Sequence, residues 1–349
     1  MVKNKPQHLL VIRLSAMGDV AMTVPVLMAL TKEYPELKIT FLTKAFLKPV
    51  LENIPNVKVY VAEVNGRHKG INGLWKLYKE LRKLNIDAVA DLHNVLRSNI
   101  LKIFFGLSGT PFVQLDKGRA EKKALVAEKD KKFEPLMPMY DRYAEVFSKL
   151  GLGFQLDTKC ICKPRPLAEG IKSKLGLKPL KTIGIAPFAA FEGKVYPLPL
   201  MEKVVSELNA VAKYQILLFG GGKKEAKILE KWEGTYENCI SVIGKLSFKE
   251  ELNLIGNLNV MVSMDSGNGH LAAIYGVPVI TLWGVTHPYA GFYPFGQDES
   301  NALLADRTRF PLIPTSVYGN KFPPGYEKAM ETIPPKRVIH KVLDIISGQ

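Results

Sequence analysis

The sequence predicts two doubly wound α/β domains of similar size, and three observations carry that expectation. Short apolar runs alternate with stretches of helical spacing, the alternation comes in two series, and a stretch rich in Pro, Gly and Lys separates the series. A length of 349 residues suits two domains better than one. In the first series HLLVIRL (8–14) reads as a buried strand, and 19–34 as a helix that stops before Pro35. KITFLT (38–43), VKVYVA (57–62) and IDAVADL (86–92) read as further strands, with helical spacing over 74–84 and 95–105. The separating stretch is KPRPLAEGIKSKLGLKPLK (163–181). After it come strands at TIGIAPF (182–188), YQILLFG (214–220), CISVIG (239–244), LNVMVSM (258–264) and VPVITLWG (277–284). Helical spacing fills 200–212, and a Pro-rich stretch (310–326) leads to a last helix over 335–346. The domains are expected at 1–172 and 173–334, with 335–349 as a C-terminal helix. Two such domains facing each other would set a cleft between two sets of strand C-termini, where ligands of parallel sheets bind.

Composition narrows the class. Apolar residues make up 47% of the chain and charged residues 23%, the balance of a folded globular protein. No run reaches the roughly 18 consecutive apolar residues of a membrane span, and MVKNKPQ followed by HLLVIRL, interrupted by Arg13, is not a signal peptide. A cytoplasmic location is expected. The three cysteines, Cys160, Cys162 and Cys239, form no disulfide framework, and Cys-x-Cys alone lacks the further ligands a zinc site needs. They are expected to be reduced and structural.

Charge is distributed unevenly. Residues 1–180 hold 31 Lys/Arg against 17 Asp/Glu, whereas 181–349 hold 17 against 16. Such a half either serves solubility or meets an anionic partner. Its densest stretch, KGRAEKKALVAEKDKK (117–132), has no aromatic residue to stack on bases and contains acids, which argues against nucleic acid.

Two stretches carry chemistry. In RLSAMGDVAMTVPVL (13–27) Gly18 permits a tight turn and Asp19 opens a helix, either as its cap or as a carboxylate at the edge of the first strand. One glycine stands where a dinucleotide fingerprint needs three. In SMDSGNGHLAAIYGVPVITLWGVTHP (263–288) a strand runs into Asp265-Ser266-Gly267 at the start of a helix, where backbone N–H groups and a hydroxyl suit a diphosphate. His270 follows one turn later.

Together these stretches resemble glycosyltransferase family 9, the heptosyltransferases of the lipopolysaccharide inner core, and the resemblance covers nearly the whole chain. RLSAMGDV, DLHNVLRS (91–98), FGGGKKEAK (219–227) and GKLSFKEELNLI (244–255) follow in family order before the D-S-G-x-x-H-L-A-A signature. The resemblance implies the GT-B fold, two Rossmann-like domains about a central cleft, with the C-terminal helix crossing back to the first domain. It implies an inverting transfer of a sugar, by family default heptose from ADP-heptose, onto an anionic lipopolysaccharide core or lipid A-type acceptor. It implies that Asp19 is the catalytic base, that Lys194 holds the donor phosphate, and that Asp265 and His270 lie on the sugar or phosphate side. Ser266 and Gly267 would cradle the diphosphate, Glu225 the ribose, Gly221 belongs to the nucleotide loop, and Leu246 would pack on the base. Arg97, Lys117 and Arg119 are candidates for gripping acidic groups of the acceptor. His93 stands where the family commonly has Gln, and Asn268-Gly269 where it usually has a Pro-Met pair.

No D-x-D pair stands in a suitable loop, so no obligatory metal and no cofactor beyond the nucleotide-sugar are expected. The expected partners are that donor, an anionic glycolipid and the inner-membrane surface, the enzyme lying peripherally on its cytoplasmic face. Two rivals share the fold: a nucleotide-sugar epimerase, which would need no basic acceptor half, and an inactive envelope-assembly protein, which would not retain Asp19, Lys194 and His270 together.

Overall fold

The computed structural model describes residues 5–348; the first four residues of MVKNKPQ and the last of the expected 335–349 helix lie outside the described residues. By internal contacts the chain forms two compact units, Met1–Arg119 with Met137–Cys162, and Ala120–Leu136 with Lys163–Gln349. In this division the chain passes to the second unit at Lys163, and 120–136 belongs to the second unit as well.

The first unit contains β1 (His8–Ile12), α1 (Met17–Ala21), α2 (Thr23–Glu33), β2 (Lys38–Thr43), α3 (Lys48–Leu51), β3 (Val57–Val61), α4 (Gly70–Arg82), β4 (Ala88–Asp91), α5 (Leu96–Leu107) and β5 (Phe112–Gln114). α6 (Arg119–Leu125) leads into the second unit, and α7 (Met139–Lys149) returns to the first. All strands run parallel in the order β3-β2-β1-β4-β5, with Leu9 paired to both Ile39 and Ala88. Leu10, Ile12, Leu42 and Val89 pack one sheet face against Leu74, Leu77 and Leu81 of α4 and Leu101 and Phe105 of α5. The single helix expected over 19–34 is two, parted at Met22. Pro25 explains the break: it has no N–H, and its ring would collide with the Ala21 carbonyl in a continuous helix.

The second unit contains α8 (Glu169–Leu175), β6 (Lys181–Ala186), α9 (Leu198–Ala210), β7 (Tyr214–Leu218), α10 (Gly222–Thr235), β8 (Cys239–Ser241), α11 (Phe248–Ile255), β9 (Val260–Met264), α12 (Gly267–Ala273), β10 (Val279–Trp283), β11 (Ala302–Leu304) and α13 (Pro335–Ser347). Its parallel sheet has the order β11-β10-β9-β6-β7-β8. The expected linker 163–181 is partly helical: α8 ends at Gly176 in the left-handed region (φ 60°), and Asn253 and Asn257 donate to the Arg165 carbonyl.

The last helix packs within the second unit. Val338, Ile339, Val342 and Ile346 of α13 are buried in the second unit's core with Met201, Val204 and Leu208 of α9 and Val260 and Val262 of β9. The physical reason is a helix-period apolar stripe matched to a free face of that sheet. Ile346→Ala should therefore cost the second unit about 2–5 kcal/mol. Denaturant unfolding checks this; a cost near zero would mean that α13 is not docked there.

Candidate active site

Strand order reverses once in each sheet, between β1 and β4 and between β6 and β9. At such a switch point neighbouring chains leave the strand ends in opposite directions and a crevice opens. Both reversals carry an ion pair.

In the first unit Arg13, one residue past β1, extends a buried guanidinium whose Nη2 lies 2.5 Å from Asp19 Oδ2 (side chains 7% and 22% exposed). Its Nη1 donates to the Leu92 carbonyl at 2.6 Å, tying the pair to the end of β4. Asp19 Oδ2 also accepts the Ala16 N–H at 3.1 Å, closing the first turn of α1. Thus Asp19 is neither a simple helix cap nor a free carboxylate. Beside it, Asp91 is fully buried and accepts the His93 and Asn94 N–H groups and Gln114 Nε2. His93 accepts the Leu14 N–H on Nδ1 at 3.4 Å. Burial, then the Arg13 guanidinium, pushes its pKa down to about 3, so the imidazole is neutral at pH 7. Half-buried Lys117 is also shifted downward, by burial and then by Arg13 and Arg119. Arg13, Asp19, His93 and Lys117 form one electrostatic group; Arg119 is exposed at its edge, and Arg97 is exposed on the first turn of α5.

In the second unit Lys194 ends a 3₁₀ turn (Glu192–Lys194) after β6, and its Nζ lies 2.8 Å from Asp265 Oδ2, just past β9. The side chains are 15% and 7% exposed, and Thr286 Oγ1 donates to the same carboxylate oxygen at 3.0 Å. Close backbone approach places the lysine. A Cβ on Gly193 would lie 2.4 Å from Val285 Cγ2, and one on Gly319 2.6 Å from Lys194 Cγ. The Pro-rich stretch 310–326, expected only as a lead-in to the last helix, therefore packs over the lysine stem. Ser266 precedes α12, yet its hydroxyl does not cap the helix. It lies 3.0 Å from Ser263 Oγ, which itself donates to the Met264 carbonyl. His270 is buried on α12. The Gly221 N–H donates to Glu225 Oε2 at 2.6 Å, holding the carboxylate at the start of α10, and Leu246 is half-buried after β8. Lys194, Asp265 and Ser266 share the β6/β9 switch, whereas Gly221, Glu225 and Leu246 follow β7 and β8.

The sequence reading missed Arg13 and Thr286 as partners of these carboxylates. Arg13 carried a signal, a charge ending an otherwise apolar strand; Thr286, 21 residues from Asp265, carried none. The basic stretch 117–132 is not the uniformly solvated surface its composition suggested. Lys122 is buried with its Nζ 4.5 Å from the Phe292 ring centroid, and Lys131 Nζ donates to the Leu125, Leu312 and Pro314 carbonyls. No group of three or more His, Cys, Asp or Glu placed to hold a metal occurs among the described residues.

Two parallel-sheet α/β units with polar crevices at their switch points define a protein of GT-B fold. Residues 74–309 match the model of glycosyltransferase family 9 (heptosyltransferase), and the chain belongs to that family. It is a glycosyltransferase. It is 28% identical to lipooligosaccharide heptosyltransferase 2 of Haemophilus influenzae over 97% of this chain and 99% of that protein. To the lipopolysaccharide core heptosyltransferase OpsX of the same organism it is 26% identical, over 81% and 80% of the two chains. Among solved structures it is similar to a family 9 glycosyltransferase from Veillonella parvula (TM-score 0.74, 22% identity, 98% of each chain covered). It is also similar to E. coli heptosyltransferase WaaC with ADP (TM-score 0.68, 18% identity, 97% and 99% covered).

Two predictions follow from the two crevices. Lys194→Ala leaves the Asp265 carboxylate buried without its cation and should cost about 3 kcal/mol, much of which Lys194→Ala/Asp265→Asn should recover. Thermal melts of the two variants decide this; equal stability of Lys194→Ala and wild type would mean that the pair is not formed. Because the folded-state value of His93 lies below the free value of 6.5, the unfolded chain binds the proton first as pH falls. The stability that neutral His93 contributes is whole above pH 6.5 and drains away towards pH 3. His93→Gln should flatten the fall of melting temperature with acid in that window, and an unchanged slope would show that His93 titrates normally. His287, shifted down to about 4 by burial and then by Arg307, contributes to the slope that remains, together with the lowered carboxylates of Glu80, Glu250, Asp298 and Asp306.

Proposed function

We propose that this glycosyltransferase transfers heptose, with inversion, from ADP-heptose to an anionic lipopolysaccharide-core or lipid A-type acceptor on the cytoplasmic face of the inner membrane. The observation that carries the reading is the position of Asp19 and of the Lys194–Asp265 pair at the switch points of the two sheets. Support also comes from relatives named as heptosyltransferases and from a neighbour of similar fold solved with ADP.

Asp19 is the base: Arg13 and the Ala16 N–H orient its carboxylate, which takes the acceptor hydroxyl proton as that oxygen attacks the anomeric carbon. A single displacement inverts the anomeric centre, and the diphosphate leaves with the electron pair of the broken bond. Lys194 meets that growing charge. An ammonium has three N–H donors, of which Asp265 occupies one, and the others are available to phosphate oxygens. The amides at the start of α12, with Ser266 and Gly267, complete the diphosphate cradle, and Asp265 and His270 contact the sugar side. Gly221 and Glu225 bind the ribose and Leu246 packs on the adenine. Lys117, Arg119 and Arg97 hold acidic groups of the acceptor, and neutral His93 supplies a hydrogen bond rather than a charge.

ADP should raise the melting temperature more than UDP or GDP, as a ligand of the folded state does. Asp19→Asn should keep the ADP shift while transfer slows by about two to four orders of magnitude. Near wild-type transfer by Asp19→Asn would reduce the residue to a structural partner of Arg13. Conversion of the donor without any acceptor would instead favour an epimerase.

A further inference from the structure

Of the ten large apolar side chains exposed among the described residues, five lie on two adjacent helices of the first unit: Ile71 and Trp75 on α4, and Leu96, Ile103 and Leu107 on α5. The concentration is not an accident of composition. α5 buries Ser98, Leu101 and Phe105 against the sheet, while Leu96, Ile100, Ile103 and Leu107 recur at helical spacing along a different face. Exposures of 76%, 63% and 78% at Leu96, Ile103 and Leu107 mean that these three side chains have little cover among the described residues. Trp75 bridges the helices, its ring 4.9 Å from Phe104 of α5 and 5.1 Å from Tyr78 of α4. A contiguous apolar face results.

Its rim is cationic. Between residues 69 and 108 the sequence has Lys69, Lys76, Lys79, Arg82, Lys83, Arg97 and Lys102, all exposed. The carboxylates of the same span are engaged by protein groups: Glu80 accepts from Tyr60 and lies 3.1 Å from His68 Nε2, exposed Asp87 accepts the Gln7 and His8 N–H groups, and Asp91 is buried. Lys79 Nζ stands 5.5 Å from the Trp75 ring centroid, so cation and indole occupy the same level. Apolar side chains that insert, with an indole and lysines beside them, are the pattern of an interfacial membrane contact. Two copies of this face would bring like-charged rims together, which disfavours self-association. Both helices begin at the carboxyl edge of the sheet, α5 three residues after His93, so the stripe starts near the Asp19 crevice of this unit.

We propose that the α4–α5 face docks on an anionic phospholipid surface, Leu96, Ile103 and Leu107 entering the headgroup boundary and Lys76, Lys79, Arg82 and Lys83 meeting lipid phosphates. This deepens the reading of an envelope enzyme and rests on it for the lipid-linked nature of the acceptor. The basic stretch 117–132 is less suited to such a contact, because Lys122 and Lys131 are engaged by protein.

Vesicle sedimentation tests it, with phosphatidylglycerol/phosphatidylethanolamine vesicles beside vesicles of phosphatidylcholine alone. The wild-type chain should bind the anionic vesicles at least tenfold more tightly. Ile103→Glu/Leu107→Glu and, separately, Lys76→Glu/Arg82→Glu should each lose about tenfold or more of that affinity, with unchanged thermal melts and unchanged transfer to a lipid-free acceptor oligosaccharide. Wild-type vesicle binding by Ile103→Glu/Leu107→Glu overturns the proposal. So does a dimer in size-exclusion chromatography that the same variant splits while vesicle binding persists, because the face would then join two copies. Failure of the wild-type chain to transfer heptose to any acceptor would sink the functional reading and leave the vesicle result standing by itself.

Discussion

Where β1 parts from β4, and again where β6 parts from β9, the strand order reverses and the chain leaves the strand ends in opposite directions. Polar groups at such a place must be matched by partners brought from the loops, because an unmatched charge with little water is costly. Arg13 with Asp19 and Lys194 with Asp265 are the two solutions. Much of the local architecture serves them: Leu92 offers a carbonyl to Arg13, Thr286 a hydroxyl to Asp265, and Gly193 and Gly319 yield the room that Lys194 needs.

The two crevices differ in a way that suits different tasks. Around Asp19 the cations outnumber the accessible acids; burial first, and then Arg13, keeps His93 neutral, and burial followed by Arg13 and Arg119 shifts Lys117 downward. Such a place favours an anionic group that arrives from outside. Around Lys194 the charge is balanced by Asp265, and what remains available is hydrogen-bonding capacity at a short helix start. In the function proposed above, the first arrangement would receive the acidic acceptor and the second the donor, whose negative charge grows as its bond breaks.

Charge that looks alike in sequence separates in space. Lys122 and Lys131 are spent on Phe292 and on three carbonyls, whereas the cations of α4 and α5 stay in solvent beside an apolar stripe. The excess of positive charge in the first half thus resolves into structural lysines, a crevice lining and a rim.

The class of fold and the places of its main strands along the chain were legible in the sequence, because parallel strands buried on both faces leave short unbroken apolar runs and their crossover helices leave a 3.6-residue period. Asp19 and Asp265 were legible as carboxylates at strand ends, since a Gly turn or a D-S-G opening marks those ends locally. Short elements escaped: β5 and β11 have three residues each, too few for any period. The partners of the two carboxylates were settled only by folding. Arg13 and Asp19 meet because α1 turns back over the end of β1, and Thr286 reaches Asp265 because β10 lies beside β9. The same holds for the destination of α13 and for the second unit's claim on 120–136: an apolar stripe shows in sequence that a helix will be buried, but which sheet has the matching free face is a property of the packed structure.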